Sequence, residues 1–176
     1  WTMVPYVRKS FYKHYKDGLK YVVKDEAQYI CFAVSNPEDV SIGKTSWTQN
    51  INERPKYFNA TYNNEDAYNY ALEMTEREIY QAVEAMYHNL NTLQSRSGNQ
   101  LPFTSINYGT CTEPEGRMVT KALLDVSIAG IGSLHKTSIF PCGIFQMMRG
   151  VNRKPEDPNY DLYQLALKST AQRLYP

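Results

Sequence analysis

Cysteine and histidine are scarce in this sequence, and their scarcity removes several kinds of chemistry at once. The three cysteines, Cys31, Cys111 and Cys142, are odd in number and widely spaced. They predict neither a disulfide framework nor a zinc site, and such thiols point to the reducing cytoplasm. The three histidines, His14, His88 and His135, stand in no partner pattern, so histidine catalysis finds no support. A surplus of charge is missing too: 19 Lys and Arg face 18 Asp and Glu, for a net charge of +1. Without a basic excess nothing favours a nucleic-acid polymer as partner. No apolar run approaches the ~20 residues of a membrane span, and no basic-then-apolar signal opens the chain. Glu76 and Glu78 read as surface charges on a helix, and no catalytic dyad emerges.

What is present is enough for one core: 176 residues, 42% of them hydrophobic, fit a soluble globular piece. Val4, Val7, Phe11 and Tyr15 recur at helical spacing, with Gly18 placed as a left-handed C-terminal cap. Arg8, Lys9, Lys13 and Lys16 crowd the other faces of that helix. The ordinary reading is a solvated surface, and the functional one is a phosphate-binding face. Residues 21–64 are less regular, with one short strand expected at Tyr29–Val34, and they read as an insertion over a helical hairpin. SIGKTS lacks the full G-x-x-x-x-G-K-[ST] spacing and is no phosphate loop. From Asp66 to Leu93 the pattern predicts the longest helix. Its seam of Leu72, Ile79, Val83, Met86, Leu90 and Leu93 suits either core packing or a subunit interface.

Beyond that helix comes a loop rich in Ser, Arg, Gly and Gln, then two core strands around Phe103–Tyr108 and Ile139–Met147. Thr112-Glu113-Pro114-Glu115 fits a capping box, so a helix is expected from Glu113 to about Ala129, stopping at Gly130. A turn follows through IAGIGSLHK, Ile128–Lys136. A last helix starts near Asn159 and is expected to bury Leu162, Leu165, Ala166 and Leu174. This is an α/β order. Two strands cannot close a barrel. The chain also opens on Trp1 and stops at Tyr175-Pro176, so it is expected to be a segment of a larger polypeptide.

The stretch Asn89–Gly109, NLNTLQSRSGNQLPFTSINYG, carries a pattern close to NLNT-x-x-SR-x-G-x-Q-x-PF-[ST]-S-[IV]-N-[YF]-G. VPYVRKSF at Val4–Phe11, TEREIYQA at Thr75–Ala82, TSIFP at Thr137–Pro141 and PNYDLYQLAL at Pro158–Leu167 agree in order. On these motifs the chain resembles the anaerobic, glycyl-radical ribonucleoside-triphosphate reductases, over most of its length except roughly Tyr21–Asn64. The resemblance implies a partial glycyl-radical-enzyme barrel with long interface helices. It implies effector and interface helices in 1–94, a specificity loop at 95–100, and barrel strands and helices in 101–176.

What the resemblance implies for function is concrete. The family removes the ribose 2′-hydroxyl through a radical at carbon 3′, using a thiyl radical generated from a glycyl radical. An activating enzyme with an iron–sulfur cluster and S-adenosylmethionine makes that radical, and a structural zinc accompanies it. This segment lacks the glycyl loop, the four-cysteine cluster and the ATP-binding cone, and none of its cysteines has the radical-cysteine context. No catalytic and no metal-binding residue is therefore expected here, and the segment alone is expected to be inactive. Cys142 and Cys111 are expected to be inert packed thiols.

The implied partners are nucleoside triphosphate substrates, deoxynucleotide and ATP effectors, and a second copy of the reductase. Effector-binding candidates are Lys9, Lys13 and Lys16 on the first helix, and Ser95, Arg96, Ser97, Gly98 and Gln100 in the loop. Ser105 and Asn107 share one strand face, which fits either a substrate cavity or a satisfied polar core. A non-catalytic nucleotide-binding or dimerisation module on the same scaffold is the alternative. Another glycyl-radical enzyme would leave the SRSGNQ loop unexplained.

Overall fold

The structure, a computed structural model, describes residues 1–23, 64–93, 101 and 103–174. The insertion at about 21–64, with its expected strand at Tyr29–Val34, lies almost wholly outside the described residues, as does the loop 95–100. Among the described residues four helices and two strands follow in the order α1 (Val4–Gly18), a π-helical turn (Leu19–Val23), α2 (Glu65–Thr92), β1 (Ser105–Tyr108), α3 (Pro114–Ala129), β2 (Cys142–Phe145) and α4 (Tyr160–Arg173). Two compact units divide them. One comprises 1–79 with 113–116, the other 80–112 with 117–176.

In the first unit, α1 begins with Pro5 in its first turn, where a missing N–H costs nothing. Its apolar stripe is buried as the spacing predicts: Val4, Val7, Phe11 and Tyr15. Phe11 meets Tyr68 of α2 edge to face, with ring centroids 5.3 Å apart. Asn64 caps α2, its Oδ1 accepting from the Ala67 amide at 3.0 Å, and Glu65 and Asp66 complement the helix dipole. Gly18 is not a left-handed cap. The chain stays right-handed through Leu19, and a Cβ at Gly18 would lie 3.0 Å from the Ala67 carbonyl oxygen. Glycine is there for close helix approach.

The second unit holds a β–α–β arrangement. β1 and β2 pair in parallel, with Ser105 opposite Cys142, Ile106 opposite Gly143, Asn107 opposite Ile144 and Tyr108 opposite Phe145. The connection between parallel strands has to cross over, and α3 makes that crossover. Both strands are shorter than the apolar runs that announce them. No barrel is present among the described residues. α3 buries Met118, Ala122, Leu123, Leu124 and Val126, and α4 buries Leu162, Ala166 and Ser169.

Three polar ties join α3 to α4: Arg117 to Asp161 at 2.5 Å, Ser127 to Ser169 at 3.2 Å, and Arg173 to the Ile128 carbonyl at 2.7 Å. Partners ascend together along both chains, so the two helices run in the same direction. Arg173 also takes the Ala129 carbonyl, an acceptor that the end of α3 leaves over, and the His135 carbonyl in the turn beyond it. Gly130 makes the stop at positive φ (78°), as expected. Three details differ from expectation. α3 begins at Pro114, one residue later, Leu165 is only half-buried, and Leu174 is 90% exposed because α4 ends there in a left-handed residue that turns it outward.

Candidate functional site

The parallel register decides which side chains share a surface. Along β1 exposure alternates, with Ser105 and Asn107 exposed and Tyr108 buried. On β2, Cys142 and Ile144 are exposed opposite them. One open sheet face therefore carries Ser105, Asn107, Cys142 and Ile144 side by side. Cys142 is consequently not the packed thiol expected of it, because the two-residue period of the strand turns it outward. Cys111 is buried, as expected.

Both strand exits are held by two buried asparagines. Asn152 Nδ2 donates to the carbonyls of Gly109 (3.0 Å) and Gln146 (2.8 Å), the residues that follow β1 and β2. Asn159 Nδ2 donates to Gly109 (3.1 Å) and Cys111 (2.9 Å), and its Oδ1 accepts from Arg117 at 2.6 Å. The C-terminal ends of parallel strands are where α/β sheets commonly bind ligands. Here they are rigidly framed.

At the other end of the strands, Asn91 in the last turn of α2 reaches the lead into β2. Its Oδ1 accepts from the amides of Ile139 (2.8 Å) and Phe140 (3.0 Å), and its Nδ2 donates to the Phe140 carbonyl (2.5 Å). The same Nδ2 donates to Tyr87 within its own helix at 2.7 Å. Ser95, Arg96, Ser97, Gly98 and Gln100 lie outside the described residues.

In the first unit, Lys9, Lys13 and Lys16 are all exposed on one face of α1, spaced four and three residues apart. Lys16 Nζ sits 4.6 Å from the centre of the Tyr12 ring. Arg8 does not belong with them. It turns inward, its Nε donating to the fully buried Glu115 at 2.9 Å, with Glu113 at 3.4 Å.

Glu78 is likewise more than a surface charge. It accepts from Ser10 Oγ and lies 2.8 Å from His14 Nε2, and these two hydrogen bonds hold its carboxyl below the usual glutamate range. In the second unit, burial and the nearby Glu84 and Asp125 carboxylates push the Tyr80 phenol up. Among the described residues no cluster of three or more His, Cys, Asp or Glu is arranged to hold a metal. No described helix is long and apolar enough to cross a membrane.

Residues 1–176 match, end to end, the sequence profile of the anaerobic ribonucleoside-triphosphate reductases. The chain belongs to that family. Among similar curated proteins, the anaerobic ribonucleoside-triphosphate reductase of Enterobacteria phage T4 is 44% identical over 111 residues, covering 63% of this chain and 18% of the relative. The Salmonella typhimurium reductase is 40% identical over 111 residues (63% and 15%), and that of Escherichia coli 39% over 115 residues (65% and 16%). The matched stretch thus spans less than a fifth of the length of these relatives.

The reductase motifs mark two of the residues that position the strands. Asn91 stands in NLNT and Asn159 in PNYDLYQ, so the sequence carries a signal for these two asparagines. Arg117 and Asn152 carried no such flag, and their partners emerge only from the fold.

Proposed function

We propose that this chain is part of an enzyme that converts ribonucleoside triphosphates to deoxyribonucleoside triphosphates by glycyl and thiyl radical chemistry, supplying precursors for DNA replication. The segment carries effector-site and interface elements, together with one wall of the substrate cavity. The observation that carries this reading is the open sheet face of Ser105, Asn107, Cys142 and Ile144. It follows directly on the SRSGNQ motif in a chain that matches the family throughout.

The radical group, when formed, supplies hydrogen abstraction at the ribose. This segment's residues bind and orient. Ser105 and Asn107 offer a hydroxyl and an amide to ribose oxygens, and Ile144 limits water beside them. The activating enzyme and the structural zinc belong to the complete reductase, which works in the cytoplasm. Fractionation of producing cells, with the protein in a membrane pellet, would contradict that location.

Lys9, Lys13 and Lys16 form the phosphate-holding face for a deoxynucleotide or ATP effector, supported by their shared exposure. The loop residues Ser95, Arg96, Ser97, Gly98 and Gln100 read effector identity. Linkage requires an effector to contact the loop differently in its two states, with a coupling of about 1–3 kcal/mol. In the complete reductase, Arg96→Ala or Gln100→Ala is expected to flatten the effector-dependent ratios among four competing ribonucleotides. Ratios that respond as in the unaltered enzyme would sink the loop reading.

A homodimer is part of the same proposal, with the later part of α2 as its contact. Leu72 and Val83 are buried within this chain, whereas Met86 and Leu90 are only half-buried and Leu93 is 59% exposed. Leu93→Glu is the informative change, because it spares the chain's own core. A dimer unaltered in sedimentation would refute the contact.

A further inference from the structure

Asn91, at the end of α2, and Phe103–Thr104, ahead of β1, are fastened to the same short stretch, Ile139–Cys142. On the leading side, the Asn91 amide exchanges three hydrogen bonds with the Ile139–Phe140 backbone. On the trailing side, the Thr104 carbonyl accepts from the Cys142 amide at 2.9 Å, and the Phe103 ring meets Phe140 edge to face at 5.2 Å. A side-chain amide that gives to and takes from one dipeptide reproduces a strand's ladder in miniature. It holds that peptide in position as well as in orientation. The end of α2 therefore cannot shift without carrying Ile139 and Phe140 or losing all three bonds.

Two residues further on stands Cys142, whose register fixes it beside Ser105 on the open sheet face. We infer that Asn91 is a positioning residue that ties the end of α2 to the lead into β2. Through it, an effector-dependent shift at the end of α2 reaches the face of Ser105, Asn107, Cys142 and Ile144. This rests on the loop and cavity readings given under Proposed function. Asn91 touches no substrate in this scheme. It sets where the strand bearing Cys142 and Ile144 begins, and hence the shape offered to the base and ribose.

The test uses the complete reductase with Asn91→Ala and Asn91→Asp. Effector coupling of this class changes affinities by about 5–150-fold. Asn91→Ala is expected to bring the effector-driven change in substrate ratio to within about twofold, while effector affinity itself holds within about twofold. Asn91→Asp keeps both acceptor bonds to the Ile139 and Phe140 amides and is expected to rescue part of the response. A purely structural role would lower turnover without this split. Full effector response in folded Asn91→Ala enzyme overturns the proposal.

Hydrogen exchange in the unaltered enzyme gives an independent arm that needs no variant to fold. Effector addition is expected to change exchange of the Ile139 and Phe140 amides, and unchanged exchange overturns the coupling. Arg96→Ala separates this inference from the loop reading. If Arg96→Ala abolishes the response and Asn91→Ala leaves it whole, the loop stands and the coupling falls. If Arg96→Ala leaves it whole and Asn91→Ala flattens it, the coupling stands and Arg96 is not the reader.

Discussion

Replacing Arg117 by methionine tests whether the join between α3 and α4 depends on a buried ion pair. The Arg117 side chain is 4% exposed, and that of Asp161 is 8%. The guanidinium donates to Asp161 Oδ2 at 2.5 Å, to Asn159 Oδ1 at 2.6 Å and to the Pro158 carbonyl. Methionine keeps the aliphatic bulk and removes all of these donors. What remains is a carboxylate with little access to water, and breaking a buried pair from one side costs about 3–5 kcal/mol. Asp161 lies in the first turn of α4, where the helix dipole offsets about 0.3–1 kcal/mol of that. The net expectation is a loss of about 3 kcal/mol, a large share of the roughly 5–15 kcal/mol that holds a domain together.

Native-state hydrogen exchange across α4 in the complete protein reads this locally, without requiring the whole polypeptide to unfold in two states. The double variant Arg117→Met with Asp161→Asn leaves no charge stranded. It is expected to be less destabilised than the sum of the single changes, by about 0.5–3 kcal/mol. Protection of the α4 amides in Arg117→Met within about 1 kcal/mol of the unaltered protein would refute the reasoning.

Gly18→Ala sets two effects of opposite sign against each other. Alanine gains about 1 kcal/mol of helix propensity. The added Cβ, however, falls 3.0 Å and 3.1 Å from backbone atoms of Ala67, which cannot swing aside, and overpacking of this kind costs about 1–3 kcal/mol. Net destabilisation is expected, and a higher melting temperature would contradict it. For Glu78→Gln, the expectation concerns pH. The carboxyl's folded value lies below its usual 4.5, so its contribution is complete above 4.5 and is lost as pH falls through the lowered value. The side chain is half exposed, which limits the effect to about 1 kcal/mol or less. Unfolding midpoints of variant and unaltered protein should differ near pH 7 and converge once pH falls below the lowered value, and a gap that persists in acid would argue against the charge.

Local pattern alone determined the helices. Asp66–Leu93 was read from its apolar period, and the structure runs from Glu65 to Thr92, because a helix of that length carries its own signal in every turn. The stripe of α1, the stop at Gly130 and the two strands were legible for the same reason. The reductase motifs named the family outright.

Tertiary structure decided what each ambiguous residue does. A glycine ending an apolar stripe suits a cap or a close approach equally well, and only Ala67, 49 residues on, settles Gly18 as the latter. Arg8, Glu78 and Arg117 look like solvated helix charges, since their partners stand 107, 68 and 44 residues away. Strand membership of Cys142 was readable, but its face was not, because one residue of register reverses it. Asn91 shows the same division. Its motif marked it, yet its role depends on Phe140 lying within reach, and contact across 49 residues is a property of packing rather than of spacing along the chain.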